Sequence, residues 1–401
     1  MKIIVTGATG FVGDGLVPML AASGVELLLV GRDPKRIERL FHEHPACCYE
    51  QLAERGAGFD LLVHLAVANN DADLSPEAFH DVNVRLSLEV ADHAKRAGVP
   101  LFVNVSSVHA LDPGNGSVYA KTKREAARLL ADVEGIKVIT AFLPPVYGSR
   151  WSGKLSLLNH LPGWLARMLF QVLAALRPTM HVSHLARFLV ERAAGEEETE
   201  VILSDGQEGN RVYRFVKRAV DLAFALFVAL LFWWGLALIW VLVRLESPGP
   251  GIFAQKRIGQ GAASFTCYKF RTMKHGTIQA GTNQVPSHSV TGLGRFLRRT
   301  KLDELPQIWN ILRNEVSLIG PRPCLPMQTE LIEARIRRGV LRIKPGVSGL
   351  AQINDIDMSE PQILARWDAR YMALQSLLLD LKIILATAIG HGRSDRVAQD
   401  R

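Results

Sequence analysis

Cysteine is scarce and unpatterned in this chain. The four that occur (Cys47, Cys48, Cys267, Cys324) show no C-x-x-C spacing and no histidine at metal-ligand distance. That favours free thiols in a reducing compartment over disulfides or a zinc site. No charged leader precedes the apolar start, because Met1-Lys2 runs straight into Ile3-Ile4-Val5, so the chain is expected to begin in the cytosol. Long apolar runs are absent but for one, Ala219 to Val243, and with 48% hydrophobic residues a polytopic membrane protein is excluded. Acidic residues are outnumbered: 39 Asp and Glu face 47 Lys and Arg, a net charge of +8. Such an excess suits anionic lipid, anionic substrates or nucleic acid. No recognition-helix motif or aromatic stacking platform accompanies it, so nucleic acid is not an expected partner.

What is there begins with a strand-like Lys2 to Thr6, then Gly7-Ala8-Thr9-Gly10-Phe11-Val12-Gly13 and a helical run to about Ala22. A strand, a glycine-rich turn and a helix N-terminus let backbone amides approach a pyrophosphate. Val25 to Val30 reads as a second strand ending in Gly31-Arg32-Asp33. An acid there would accept ribose hydroxyls, whereas Arg32, followed by Lys35 and Arg36, would pair with a 2′-phosphate. The cofactor expected is therefore NADP or NAD, with NADP favoured.

The Gly7/Gly10/Gly13 spacing resembles the extended short-chain dehydrogenase/reductase family. Further motifs agree in order: Asp60-Leu61-Leu62-Val63-His64-Leu65-Ala66, Asn83, Phe102 to Ser107, Tyr119-Ala120-Lys121-Thr122-Lys123, and Leu143-Pro144-Pro145-Val146-Tyr147-Gly148. The resemblance implies a Rossmann-like doubly wound parallel sheet over 1–205. It implies a cofactor held by Gly7, Gly10, Phe11, Val12, Gly13, Leu65, Ala66 and Lys123, with Arg32 added from the charge argument. Tyr119 would move the proton of a sugar hydroxyl as hydride moves to or from its carbon. A phenol ionises near pH 10, so Lys123, one helical turn on, would lower it, and Ser107 would orient the substrate oxygen. The chain departs from the family in two places. Val108-His109 replaces the acid pair of the dehydratases, which leaves C4 epimerisation or 4-keto reduction, and Leu143 stands where an arginine is usual. Homodimers are common in that family.

Gly206 to Val212 reads as a polar link, and 213–245 as a membrane helix. As one helix the run would be roughly 37 Å long, more than the ~30 Å hydrocarbon core. Basic residues flank both ends (Arg211 to Arg218; Arg244, Lys256, Arg257), which tolerates both ends on the cytosolic side. Entry and return would need a break near the middle, and Gly235, beside Trp233 and Trp234, is the candidate.

Beyond it come Gln255 to Gly259, Tyr268 to Met273, Leu297 to Gln307, Ser317 to Pro323 and Lys344 to Gln352. These, with Lys217 to Asp221, resemble the monotopic polyprenyl-phosphate phosphoglycosyl transferases of the bacterial sugar transferase family. The resemblance implies a mostly helical α+β membrane-associated catalytic domain over 246–392 with a re-entrant membrane helix, a frayed tail over 393–401, and a place on the cytosolic face of the bacterial cytoplasmic membrane. It implies Asp303 as a nucleophile toward a UDP-sugar, Glu304 as a Mg²⁺ ligand, and polyprenyl (undecaprenyl) phosphate as acceptor. Arg298 and Arg322 match phosphate-contacting positions, with Lys269 and Arg271 as further candidates. A carboxylate attacking an anionic phosphate needs that neutralisation in any case. The family's Ser-Pro break is missing. Arg366 to Ile389 reads as an amphipathic-to-apolar helical tail, for the bilayer surface or for the domain's own core. Two readings follow. One is a fused enzyme that modifies a UDP-sugar and loads it onto the lipid carrier. The other is a transferase alone, beside a nucleotide-binding module that does not turn over.

Overall fold

Short apolar strands alternating with helices in the first half assemble as a seven-stranded parallel sheet. The computed structural model describes residues 1–69, 73–148, 151, 153–277 and 289–392; the expected tail over 393–401 lies outside them. The strands are β1 (Lys2–Thr6), β2 (Glu26–Val30), β3 (Ala46–Cys47), β4 (Leu61–His64), β5 (Leu101–Ser107), β6 (Lys137–Leu143), the separate pair β7 (Val146–Tyr147) and β8 (Met180–His181), and β9 (Glu200–Ile202). Their order in the sheet is β3-β2-β1-β4-β5-β6-β9. Residues of successive positions feed opposite cores. Ile3, Val5, Leu27, Leu29, Leu61 and Val63 pack on one face with α1 (Phe11–Ala22), and Ile4, Leu28, Val30 and Leu62 on the other. Helices α2 (Leu86–Arg96) and α3 (Val118–Ala131) serve the second face, and α4 (Val182–Arg187) the first. Both faces are covered, which is why these strands read as unbroken apolar runs. Strand order reverses between β1 and β4, so their C-terminal ends open a crevice of the kind that receives ligands in doubly wound sheets.

Contacts divide the chain into two compact units, residues 1–170 with 178–205, and 171–177 with 206–401. The second unit is mostly helical. Helix α5 (Arg211–Leu231) and helix α6 (Trp233–Glu246) meet at a 70° bend. Then come an antiparallel hairpin, β10 (Ile252–Ile258) with β11 (Ser264–Phe270), helix α7 (Gly292–Thr300), helix α8 (Ile308–Leu312), and the parallel pair β12 (Ser317–Ile319) with β13 (Gly346–Ser348). Helix α9 (Thr329–Arg337) and two C-terminal helices, α10 (Pro361–Leu374) and α11 (Leu377–Ala388), complete it.

No single described helix is long and apolar enough to cross a membrane; the bent pair passes that test together, by length and composition. The break falls at Phe232 (φ −114°, ψ 13°), three residues before the Gly235 that the sequence offers for it. Gly235 lies inside α6, and a Cβ there would meet no atom within 4 Å. The backbone manages the turn without proline: Phe232 N–H still donates to the Val228 carbonyl (3.0 Å) and Leu236 N–H to the Phe232 carbonyl (3.0 Å). Around the bend, Leu230, Leu231, Trp233 and Trp234 are 57–69% exposed. An exposed apolar apex of that size is costly in water.

Two acids in this unit's helices, Asp221 of α5 and Asp380 of α11, are partnered on the inner side. Asp221 Oδ1 accepts from Ser317 Oγ (3.0 Å) and Leu318 N–H (2.8 Å). Asp380 of α11 accepts from Tyr213 (2.9 Å), Lys217 (2.8 Å) and Tyr371 (2.7 Å). Ile383 of α11 packs in a core while Leu381, Leu385 and Ile389 are exposed, so this helix is amphipathic in place.

Candidate active sites

In the first unit the glycines act through contact distance. Gly7 sits at φ +71°, and a Cβ on it would lie 2.6 Å from the Ala66 nitrogen and 2.8 Å from the Leu65 carbonyl carbon. A Cβ on Gly13 would lie 2.5 Å from the Ala8 carbonyl oxygen. The turn after β1 is thus pressed against the segment after β4, which brings Gly7, Leu65 and Ala66 together. Gly10 caps α1 without a side-chain partner, leaving the first amides of the helix, at half-exposed Phe11 and Val12, to a ligand. Arg32 is exposed at the end of β2, and the neighbouring Asp33 carboxylate accepts from Arg36 N–H (3.0 Å) as a helix cap.

Ser107 ends β5, and its hydroxyl meets the Tyr119 hydroxyl from α3. Burial pushes the Tyr119 phenol above its ordinary value, and the Ser107 hydrogen bond pulls it partly back. Lys123 is 3% exposed; its ammonium donates to the Val105 carbonyl (2.9 Å), and burial brings it down to about 8. The phenol is therefore protonated at neutral pH. Asn83 is fully buried and fixes the segment after β4: its Oδ1 accepts from Ala68 N–H (2.9 Å) and its Nδ2 donates to Thr122 Oγ1 (3.1 Å).

One feature of this unit carries no sequence signal. His64 is fully buried between Thr6 Oγ1 (2.8 Å) and Ser87 Oγ (3.1 Å), and burial lowers it to about 3. Thr6 Oγ1 accepts from Leu65 N–H, so it donates to Nδ1; Ser87 donates to the Asn83 carbonyl, so it accepts from Nε2–H. The neutral Nε2–H tautomer satisfies every partner.

In the second unit, α7 ends at Lys301 in the left-handed region (φ +58°) and the chain tightens into a turn over Leu302–Gln307. Asp303 and Glu304 sit in it, 5% and 8% exposed. Two carboxylates that buried require cations, and two arrive from separate elements. Lys269 of β11 donates to Glu304 Oε1 at 2.6 Å, and Arg322, after β12, approaches the same oxygen at 3.1 Å. Glycines place Arg322: a Cβ at Gly346 would lie 2.0 Å from the Gly320 nitrogen, and one at Gly349 would lie 2.3 Å from the Gly320 oxygen. The two loops therefore interlock backbone to backbone. Arg298 donates through Nε to Thr272 Oγ1 (2.9 Å), while its buried Nη1 has no partner. Arg271 is 6% exposed and donates through Nη2 to the Ser247 carbonyl (2.6 Å) and the Val243 carbonyl (3.2 Å) at the end of α6. Its Nε and Nη1 are buried without partners. Lys269 and Arg322 thus meet at Glu304, with Asp303 buried beside it in the chain, while Arg271 is turned toward α6.

Among the described residues no cluster of three or more His, Cys, Asp or Glu side chains forms a metal cage. A Mg²⁺ ion needs less, since it keeps waters and takes one or two carboxylates plus substrate phosphates. The adjacent carboxylates, with Lys269 and Arg322 on Glu304, fit a divalent cation bound together with a polyphosphate.

A family model, NAD dependent epimerase/dehydratase family, matches residues 3–202, and a second, Bacterial sugar transferase, matches residues 212–392. The chain is 33% identical over 240 residues to the UDP-N-acetylgalactosamine-undecaprenyl-phosphate N-acetylgalactosaminephosphotransferase of Aeromonas hydrophila, covering 57% of this chain and 56% of that one. It is 37% identical over 182 residues to the UDP-glucose:undecaprenyl-phosphate glucose-1-phosphate transferase of Caulobacter vibrioides, covering 43% of this chain and 67% of that one. The chain spans 39% to 56% of the length of the first curated relatives it matches. Among solved structures it is similar to UDP-N-acetylglucosamine 4-epimerase from Bacillus cereus, at 17% identity and a TM-score of 0.40, over 51% of this chain and 76% of that one. The chain belongs to the bacterial sugar transferase family through residues 212–392, joined to a domain of the NAD dependent epimerase/dehydratase family over residues 3–202.

Proposed function

We propose that the second unit transfers a sugar 1-phosphate from a UDP-sugar to undecaprenyl phosphate through a covalent intermediate on Asp303. One Asp303 carboxylate oxygen bonds to the β-phosphorus as the bond from that phosphorus to the bridging oxygen breaks. UMP leaves with the electron pair. A phosphate oxygen of the lipid then attacks the same phosphorus, the sugar phosphate passes to it, and the Asp303 carboxylate is regenerated. The observation that carries this reading is the buried acid pair with Lys269 and Arg322 converging on one Glu304 oxygen. Attack by one anion on another needs this density of positive charge in a dry site. When donor arrives, Lys269 and Arg322 exchange the carboxylate for phosphate oxygens and Arg298 adds its unpaired Nη1. Glu304 would hold Mg²⁺, which supplies further neutralisation of the diphosphate. The names of the relatives, transferases of hexose and N-acetylhexosamine phosphates to undecaprenyl phosphate, support the donor and acceptor classes. In this reading α5 and α6 dip into the cytosolic leaflet of a bacterial cytoplasmic membrane and return, carried by their exposed apex. The parts are a Rossmann-like unit over 1–205, a link over 206–212, the hairpin over 213–245 and the transferase domain over 246–392.

The first unit, in the same proposal, binds a nicotinamide cofactor on the turn Gly7–Gly13 and acts on a UDP-sugar before transfer. Arg32 exposed beside a capping Asp33 favours NADP over NAD. A Tyr119 phenol that is protonated at neutral pH suits the acid of a 4-keto reduction: it would give its proton to the carbonyl oxygen as hydride reaches the carbon. The alternative, C4 epimerisation, has the same residues first remove a proton. Fusion raises the effective concentration of product at the consuming site. The test is a panel of UDP-sugars and UDP-4-keto-sugars given to the full chain, with and without NADPH, reading UMP and lipid-linked product. A chain that releases no UMP from any donor would contradict the transferase reading. Unchanged 4-keto donors with NADPH would leave the first unit as a binding module.

A further inference from the structure

The N-terminal turns of α5 bring Arg211, Arg214 and Arg218 to an open cleft of about 460 Å³ that Phe215, Asn314 and Lys344 complete. Four cations share this space, and no carboxylate lines it. Two are occupied by neutral acceptors: Arg218 donates to the Ile311 (2.7 Å) and Leu312 (3.2 Å) carbonyls at the end of α8, and Lys344 to Asn314 Oδ1 (2.5 Å). The Arg211 and Arg214 guanidinium groups make no hydrogen bond or ion pair among the described residues. Asp221, the acid that bears on Lys344, is already engaged by Ser317 and Leu318. Burial, then Arg218, Lys217 and Arg214, press the Lys344 ammonium below its ordinary value against the pull of Asp221. Gathering like charges around one cavity is unfavourable until an anion enters it.

The rim says which kind of anion. Phe215 is 76% exposed beside the cations, on the helix whose far end carries exposed Phe227, Leu230 and Leu231. Cationic groups beside an unburied aromatic ring, on an element ending in an apolar apex, suit a headgroup at the water–bilayer boundary. We propose that the cleft binds the phosphate of a phospholipid headgroup, as a site separate from Asp303 and Glu304. Arg211, Arg214 and Lys344 hold the phosphate oxygens, and Phe215 lies along the start of the acyl chains. The inference rests on the reading that α5 enters the bilayer, and it makes the cleft a stop that sets the depth of the helix.

The test uses the full chain in neutral detergent. Its thermal stabilisation is titrated with phosphatidylglycerol, with diacylglycerol, which lacks the phosphate, and with glycerol phosphate, which lacks the chains. The proposal expects stabilisation by phosphatidylglycerol only, and an apparent affinity about tenfold weaker in Arg214→Gln/Lys344→Gln. Should that double variant fail to fold, Arg211→Gln/Arg214→Gln, both at exposed positions, is expected to give the same loss. Three outcomes overturn the proposal: equal stabilisation by diacylglycerol, unchanged affinity in the folded variants, or glycerol phosphate acting at the concentration of the lipid. UMP release is read on the same samples, so a failed transferase reading is distinguished from failed lipid binding.

Discussion

Glu304 Oε1 accepts from Lys269 Nζ at 2.6 Å, a bond between a strand of the β10–β11 hairpin and the turn that follows α7. Both side chains are largely buried, at 17% and 9% exposure, and Arg322 shares the oxygen. This relationship makes the pair a preassembled clamp rather than a surface ion pair. Lys269→Met is expected to lower kcat/KM for UMP release by about 100-fold, the order lost with one preorganised electrostatic donor. Steady-state kinetics with donor and acceptor check it; a loss under threefold would detach Lys269 from the reaction.

Arg335 and Asp368 form a second buried pair, each 2% exposed and 2.7 Å apart, with no part in the proposed chemistry. Burial pushes the Asp368 carboxyl up and Arg335 pulls it down. Asp368→Ala leaves an uncompensated guanidinium inside the fold, a cost of about 3–5 kcal/mol. Thermal denaturation should show the loss, with turnover per folded molecule retained below the new transition.

Lys123 gives a prediction of opposite sign. Burial lowers its ammonium from the ordinary 10.5 to about 8. The folded chain therefore holds this proton less tightly than the unfolded chain. Stability is lost as pH falls from 10.5 toward 8, and below 8 the penalty is constant. Lys123→Met is thus expected to raise the stability of the first unit at neutral pH by roughly 1–3 kcal/mol, while abolishing any NADPH-dependent conversion. A melting temperature that falls would contradict the buried-charge account.

The bend at Phe232 predicts topology. Single cysteines introduced as Arg211→Cys and Lys256→Cys are both expected to react with a membrane-impermeant maleimide applied from the cytosolic side of inverted vesicles. Labelling of one from each side would mean a span and would contradict the hairpin.

Local signals in the sequence were legible where one interaction decides the outcome. Gly7 and Gly13 announce a turn that admits no Cβ, and the strand runs Ile3 to Val5 and Leu61 to Val63 announce a sheet covered on both faces. Glu304 and Arg322 stand in long ordered motifs, and the fold brings them together with Lys269, which lies 35 residues from Glu304. The break in the apolar run falls at Phe232 and not at Gly235: glycine is the local signal for a bend, and here the turn is made at a phenylalanine with the flanking backbone hydrogen bonds kept. Asp380 was missed for another reason. Its role comes from a partner 163 residues away, Lys217. A lone acid in an apolar helix, as at Asp221 and Asp380, is the cue that would have found it.

The central claim is tested most directly with donor alone. The full chain is incubated with a UDP-sugar labelled in the β-phosphate, without lipid acceptor, and the denatured protein is digested and mapped by mass spectrometry. The account predicts a stoichiometric sugar-phosphate adduct on the peptide containing Asp303, accompanied by UMP, absent in Asp303→Asn and discharged by undecaprenyl phosphate. Turnover by Asp303→Asn at the wild-type rate, or lipid product formed with no labelled protein at any time, would contradict it.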